Sequence, residues 1–228
     1  MSNAPGLSRR QLLSTTFAAA GAVVVGAAAT APAQAAPPRP RNWARSTSQN
    51  GWPVVDGAKV ASHRVEGSDA RITLAAGAVS TVLLHVLRRF HYEVGAVGRG
   101  DLIGHRTTRA VVAAFESNYL SGTAVAIRPN FYPVGSAGNF FTGEMLVIRD
   151  ILAECDGVVR WGGDDRDHPS EGHFQIDVPP GDTRLDRLAR TFEEWADQPD
   201  RGPGTMIDLL NARRRSAAKD LRARQRPF

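Results

Sequence analysis

The 228-residue chain carries a formal net charge of +5, 42% hydrophobic residues and a single cysteine, Cys155. One cysteine excludes an intramolecular disulfide, so a hydrophobic core must hold the fold unaided. The positive excess is mild, and it does not point to nucleic acid as a partner.

The chain opens with Ser8-Arg9-Arg10-Gln11-Leu12-Leu13, an apolar run from Phe17 to Ala29, and Ala33-Gln34-Ala35. This order of twin arginines, apolar stretch and small residues reads as a twin-arginine export signal over residues 1–35, cut after Ala35. The expected product is secreted and wall-associated. Losing residues 1–35 removes Arg9 and Arg10 and no acid, which lowers the formal charge by two, from +5 to +3. Residues 36–50, rich in Pro, Arg and Ser, read as a flexible lead-in, with order expected from about Gly51-Trp52-Pro53. The domain is expected over residues 51–200, about 150 residues, enough for one core.

Strands are expected at Val60 to Val65 and at Arg71-Ile72-Thr73-Leu74. From Val79 the apolar residues Val82, Leu83, Val86, Leu87 and Phe90 keep the spacing of one face of a helix, and His85 falls off that stripe, as a solvated residue would. A glycine-bearing loop covers Gly95 to Gly104. Thr107 to Phe115 has a short helical pattern, Thr123 to Ile127 a β-prone run, and Glu144 to Ala153 helical spacing again. Cys155, beside Ile151 and Leu152, reads as a buried small hydrophobe. Val158 to Trp161 and Gly172 to Val178 read as strands, and Asp182 or Thr183 can cap a helix from Arg184 to Trp195. A last helix is expected from near Thr205. Residues 201–228 then form a basic helix and tail, Arg213-Arg214-Arg215 through Arg226, expected to be solvated and able to touch an anionic wall polymer. Helices and short strands in mixed order, without a βαβ period, indicate an α+β fold.

Three pieces carry the chemistry. They are Gly104-His105-Arg106-Thr107-Thr108, then Ser117-Asn118-Tyr119-Leu120-Ser121-Gly122-Thr123-Ala124-Val125-Ala126-Ile127, then Trp161-Gly162-Gly163-Asp164 with Gly172-His173-Phe174-Gln175-Ile176. Together they resemble the zinc D-alanyl-D-alanine carboxypeptidases and dipeptidases, a family that includes phage endolysin peptidases and shares its fold with the hedgehog signalling domain. The resemblance covers residues 51–180 and implies a small, mostly antiparallel sheet flanked by helices.

The family's three zinc ligands fall on Tyr119, Ala126 and His173, so two of the three positions lack an ordinary ligand. A hydrolytic zinc needs three protein ligands and an open position for water. Its general base falls on Ser170, and Glu171 is the nearest acid that could substitute if it shared a strand face with His173. Arg106 falls on the family's arginine, which implies pairing with a substrate carboxylate or carbonyl. Tyr119, Ser121 and Trp161 complete the expected substrate-binding set. No cofactor is expected at the ordinary positions, and zinc stays open only through a site rebuilt from His173 with His105, His168, Asp164, Asp165 or Asp167.

Three functions follow as expectations. One is an exported pseudoenzyme that binds peptidoglycan-type peptide ends without cutting them. The others are an active metallopeptidase with a rebuilt site around His173, and a structural wall-interaction protein.

Overall fold

The computed structural model describes residues 39–198 and 200–225; the expected export signal lies outside them. The described residues form one compact unit, and among them no helix is long and apolar enough to cross a membrane. Among the described residues the architecture is α+β: four α-helices around a four-stranded antiparallel sheet, with two small two-stranded ladders beside it.

Strand β1 (Arg41–Asn42) pairs with β5 (Ala110–Val111), and β2 (Val60–Arg64) pairs with β3 (Arg71–Ala75). The main sheet has the order β4 (Leu102–Ile103), β6 (Ala124–Ile127), β8 (His173–Ile176), β7 (Val159–Trp161), all antiparallel. Every residue of β6 and β8 is buried, so both faces of this pair are covered. Alternation divides the faces. Val125, Ile127, Phe174 and Ile176 enter the main core. Ala124, Ala126, His173 and Gln175 take the opposite face.

Helix α1 (Ala78–Glu93) buries the stripe from Val79 to Phe90 that its spacing predicts, against α2 (Thr142–Glu154), α3 (Thr183–Ala196) and the sheet. Each later helix starts on a side-chain acceptor that satisfies backbone N–H groups otherwise left open. Glu144 accepts from Phe141 N at 2.7 Å, Asp182 from Arg184 N at 2.9 Å, and Asn211 from Arg213 N at 3.0 Å. Asn211 therefore sets the start of α4 (Ala212–Arg224), later than the expected Thr205, because Gly202, Pro203 and Gly204 hold the preceding chain in turns.

Other expectations are corrected too. The expected helix over 107–115 is not formed: residues 107–113 are extended and hold β5, and a 3-10 helix begins only at Ala114, running over Ala114–Tyr119. Glu116 turns its carboxylate back onto Val112 N and Ala113 N, stopping the extended segment there. The stretch 41–50 is not a loose lead-in. It forms β1, buries Trp43 and Ser48, and returns to the sheet through Gln49 and Asn50. Its polar composition hid these contacts because, apart from Trp43 packing on Val111 and Leu120, they are hydrogen bonds.

Nor is His85 solvated. It is 1% exposed, stacks on Phe192 at 3.6 Å between ring centroids, and lies 3.2 Å from Glu154. Beside it, fully buried Arg89 holds three carboxylates. It donates to Glu93 through Nε (2.7 Å) and Nη2 (2.5 Å), and its Nη1 lies 2.9 Å from Asp150 and 2.8 Å from Glu154. Arg214 of α4 closes the cluster on the same Asp150 and Glu154, so the C-terminal helix is docked rather than fully solvated. Burial pushes the Glu154 carboxyl up, but its bonds to His85, Arg89 and Arg214 outweigh this and hold it at about 2. Burial lowers His85 in spite of Glu154, leaving it neutral. Cys155 is fully buried and its thiol is pushed up by burial, as a core residue rather than a nucleophile.

Removing the Arg89 charge leaves Glu93, Asp150 and Glu154 together with only Arg214 to compensate them. Arg89→Met is expected to cost about 3–5 kcal/mol in urea unfolding. Arg214→Ala, at a third-exposed side chain, is expected to cost distinctly less. Equal losses for the two would show that Arg89 is not the organising charge.

Candidate functional site

The register of β6 against β8 sets Ala126 directly opposite His173 and Ala124 opposite Gln175. The 3-10 helix Ala114–Tyr119 then lays Tyr119 over this face, where it packs with Ala124 and Ala126. Gly122 makes the return possible: its φ is +68°, and a Cβ there would lie 2.7 Å from Ala75 N. Gly162 is required for a different reason, since a Cβ would stand 2.6 Å from Ser170 O and 2.9 Å from the Cβ of His173. Gly122 thus admits the chain beside β3, and Gly162 admits it beside His173.

Tyr119, Ala126 and His173, far apart in sequence, therefore meet at one point. The Tyr119 hydroxyl lies 2.6 Å from His173 Nδ1, and Nε2 of the same ring lies 2.9 Å from Gln175 Oε1. Gln175 Oε1 also accepts from Asn118 Nδ2 at 2.8 Å, which marks it as the acceptor. The network thus assigns the proton of neutral His173 to Nε2, and Tyr119 donates to Nδ1. Gln175 Nε2 and Asn118 Nδ2 both donate to Gln49 Oε1, at 3.2 and 3.0 Å. Asn50 Nδ2 seals the edge on Thr123 Oγ1 and Ile176 O, each at 2.8 Å. The Phe115 ring lies 4.5 Å from that of His173, tilted by 45°.

Burial sets the proton chemistry. It lowers His173 to about 4, against the hydrogen bond from Gln175 and the field of Asp165. Burial also raises the Tyr119 hydroxyl well above its ordinary value, Glu116 adding to the rise and Arg106 opposing it. Both groups are neutral at pH 7.

These residues do not fit a zinc ion. A methyl group has no lone pair, a neutral tyrosine is a poor ligand, and the Nδ1 lone pair of His173 is already taken by the Tyr119 hydroxyl. Nor do the alternative donors converge. His105 Nε2 donates to Val55 O at 3.1 Å, Asp164 is held by both terminal nitrogens of Arg149, and Asp165 accepts from Asp167 N and His168 N in a tight turn. Among the described residues no three His, Cys, Asp or Glu side chains come together as a metal set.

Glu171 is not placed as a base. It stands in a turn before β8, so strand alternation with His173 does not apply. Both carboxylate oxygens are held by the loop ahead of α2: Gly138 N at 2.9 Å, Asn139 N at 2.8 Å and Asn139 Nδ2 at 2.7 Å. Ser121 and Trp161 are each 2% exposed and cannot touch a ligand in this conformation. Ser121 donates to Asn118 O, and Trp161 Nε1 donates to Glu171 O at 2.7 Å. They position the site rather than line it.

Arg106 is the expected site residue that reaches solvent, its side chain 27% exposed. Its guanidinium stands 5.2 Å over the Tyr119 ring, donates through Nη2 to Ala110 O at 3.1 Å, and lies 3.8 Å from Glu116. Sequence reasoning missed Gln49, Asn50, Asn118 and Gln175. The His173/Gln175 pair was detectable, since two polar residues at i and i+2 in an otherwise apolar strand must share a face. Gln49 and Asn50 carry no such signal.

Compared with known proteins, the chain matches no family model, no curated protein and no solved structure.

Tyr119→Phe deletes one hydroxyl and leaves His173 Nδ1 buried without a donor, which is expected to cost about 1–3 kcal/mol at pH 7. The pH dependence has a definite sign. Unfolded histidine titrates near 6.5 and folded His173 near 4, so between these values the unfolded chain binds more protons. This contribution is complete above about pH 6.5 and is lost as pH falls toward 4, on the order of 3 kcal/mol in all. Urea unfolding across that range is expected to show the slope, and a His173→Gln variant to reduce it.

Proposed function

We propose that this protein is exported and wall-directed, shares the scaffold of the zinc D-alanyl-D-alanine carboxypeptidases, and binds carboxylate-ended peptides of the peptidoglycan type without zinc and without hydrolysis. One observation carries this reading: the positions that the resemblance gives to three zinc ligands converge, and a tyrosine hydroxyl and a methyl group fill the space beside His173. A shared scaffold accounts for the convergence. The donors account for the loss of hydrolysis, because no group is available to lower the pKa of a water or to polarise a carbonyl.

Arg106 supplies the binding chemistry. Its planar guanidinium suits a terminal carboxylate, and its Nη1 has no hydrogen-bond partner among the described residues. The Tyr119 ring beneath it fixes the plane of the fork. Glu116, 3.8 Å from the guanidinium, disfavours a second anion there.

The closed state of Tyr119, Ser121 and Trp161 favours a second reading, a structural wall protein in which no ligand reaches this face. Calorimetry with a peptide ending in D-Ala-D-Ala and with its C-terminal amide separates the two. The first reading expects the acid to bind, the amide to bind at least tenfold more weakly, and Arg106→Gln to lose about tenfold or more for the acid. Absence of acid binding, or equal binding of acid and amide, supports the second reading.

The scaffold has its own test. The double substitution Tyr119→His and Ala126→Asp places two zinc donors beside His173, and the purified variant is expected to retain about one zinc per chain after desalting while the parent retains none. If the variant folds and stays metal-free, the shared scaffold is refuted.

A further inference from the structure

The strongest feature outside the site is a cleft between α2 and α4. It encloses about 530 Å³, with Leu146 of α2 and Leu209 of the preceding turn among its apolar lining. Five cations border it, and two of these are committed within the fold: Arg149 to Asp164, and Arg214 to Asp150 and Glu154. The remaining three, Arg215, Lys219 and Arg222, are exposed and have no side-chain partner among the described residues.

Their spacing of four and then three residues puts them on one face of α4, about 6 and 4.5 Å apart along the axis. Three like charges on adjacent turns repel one another, and among the described residues no carboxylate pairs with them. The turn leading into α4 also exposes Met206 (99%) and Leu210 (71%). Within the cleft itself, Leu146 and Leu209 share the lining with the unpaired cations, the composition of a surface that meets both headgroup and hydrocarbon.

We propose that this end of the protein docks on an anionic phospholipid surface. Lipid phosphates would meet Arg215, Lys219 and Arg222, and hydrocarbon would lie against Leu146, Leu209 and the exposed Met206 and Leu210. A water-soluble polyphosphate-like polymer would satisfy the cations equally well, but it would leave the leucine lining and the two exposed side chains in water. The apolar half of the surface therefore decides for lipid. The reading does not depend on the Tyr119–His173 centre, which lies on other elements.

Co-sedimentation of residues 38–228, which contain the compact unit, with phosphatidylcholine vesicles, with and without phosphatidylglycerol, tests it. Binding is expected only with phosphatidylglycerol and is expected to weaken with added salt. The variant Arg215→Gln/Lys219→Gln/Arg222→Gln is expected to lose about a hundredfold in affinity. Met206→Ser/Leu210→Ser, which leaves the cations in place, is expected to weaken binding with an unchanged circular dichroism spectrum. No binding of the parent to phosphatidylglycerol vesicles would overturn the proposal, as would equal binding by the triple variant. Capture by soluble polyphosphate without vesicle binding would overturn it in favour of a soluble polyanion.

Discussion

The register of β6 against β8 is the constraint on which the site depends. Because side chains alternate across a strand, one register sends Val125, Ile127, Phe174 and Ile176 into the core and leaves Ala124, Ala126, His173 and Gln175 on the other face. A slip of β8 by one residue would turn His173 and Gln175 into hydrocarbon and set Phe174 and Ile176 against the buried amide network. The core thus holds the polar face in place. Two small alanines on β6 leave room for the Tyr119 ring, and a ring of that reach is what puts a hydroxyl on His173.

The polar face is closed by hydrogen bonds from a distant part of the chain. Gln49 and Asn50 reach across to Asn118, Gln175, Thr123 and the carbonyl of Ile176. Buried amides and an imidazole are tolerated only when their donors and acceptors are paired, so residues 41–50 must be ordered for the centre to exist. A neutral His173 serves this arrangement better than a charged one, since protonated Nδ1 would face the Tyr119 hydroxyl with no strong acceptor. The same pairing that completes the network removes the lone pair a metal would use. On the far side of the core, Arg89 plays a comparable part for the helices, drawing carboxylates of α1 and α2 into one cluster that Arg214 ties to α4.

Much of the helical framework was legible in the chain. The stripe from Val79 to Phe90 is seen as α1, and Asp182 caps α3 where its side chain predicts. The β-prone runs at residues 60–65, 71–74, 123–127, 158–161 and 172–178 all form strands, shorter by one to three residues in most cases. His85 shows where periodicity failed. A residue just off an apolar stripe faces solvent only if nothing packs there, and here α3 brings Phe192 onto its ring. Glu171 shows the other failure: strand alternation was extended to a residue that lies in a turn.

What the sequence determined by itself is chemical identity and local preference. It shows that the position opposite His173 is an alanine, that residue 119 is a tyrosine, and that no disulfide braces the fold. It also shows where α1 and α3 begin, because caps and apolar spacing are short-range properties. Tertiary structure decided everything that rests on long-range hydrogen bonding. It gave Tyr119 to His173, Gln49 to Gln175, and Glu171 to the loop before α2. It also decided which arginines are spent inside the fold and which remain free on α4. A polar side chain has many acceptable partners and no periodic signature, so only the folded chain, by bringing distant segments within about 3 Å, selects among them.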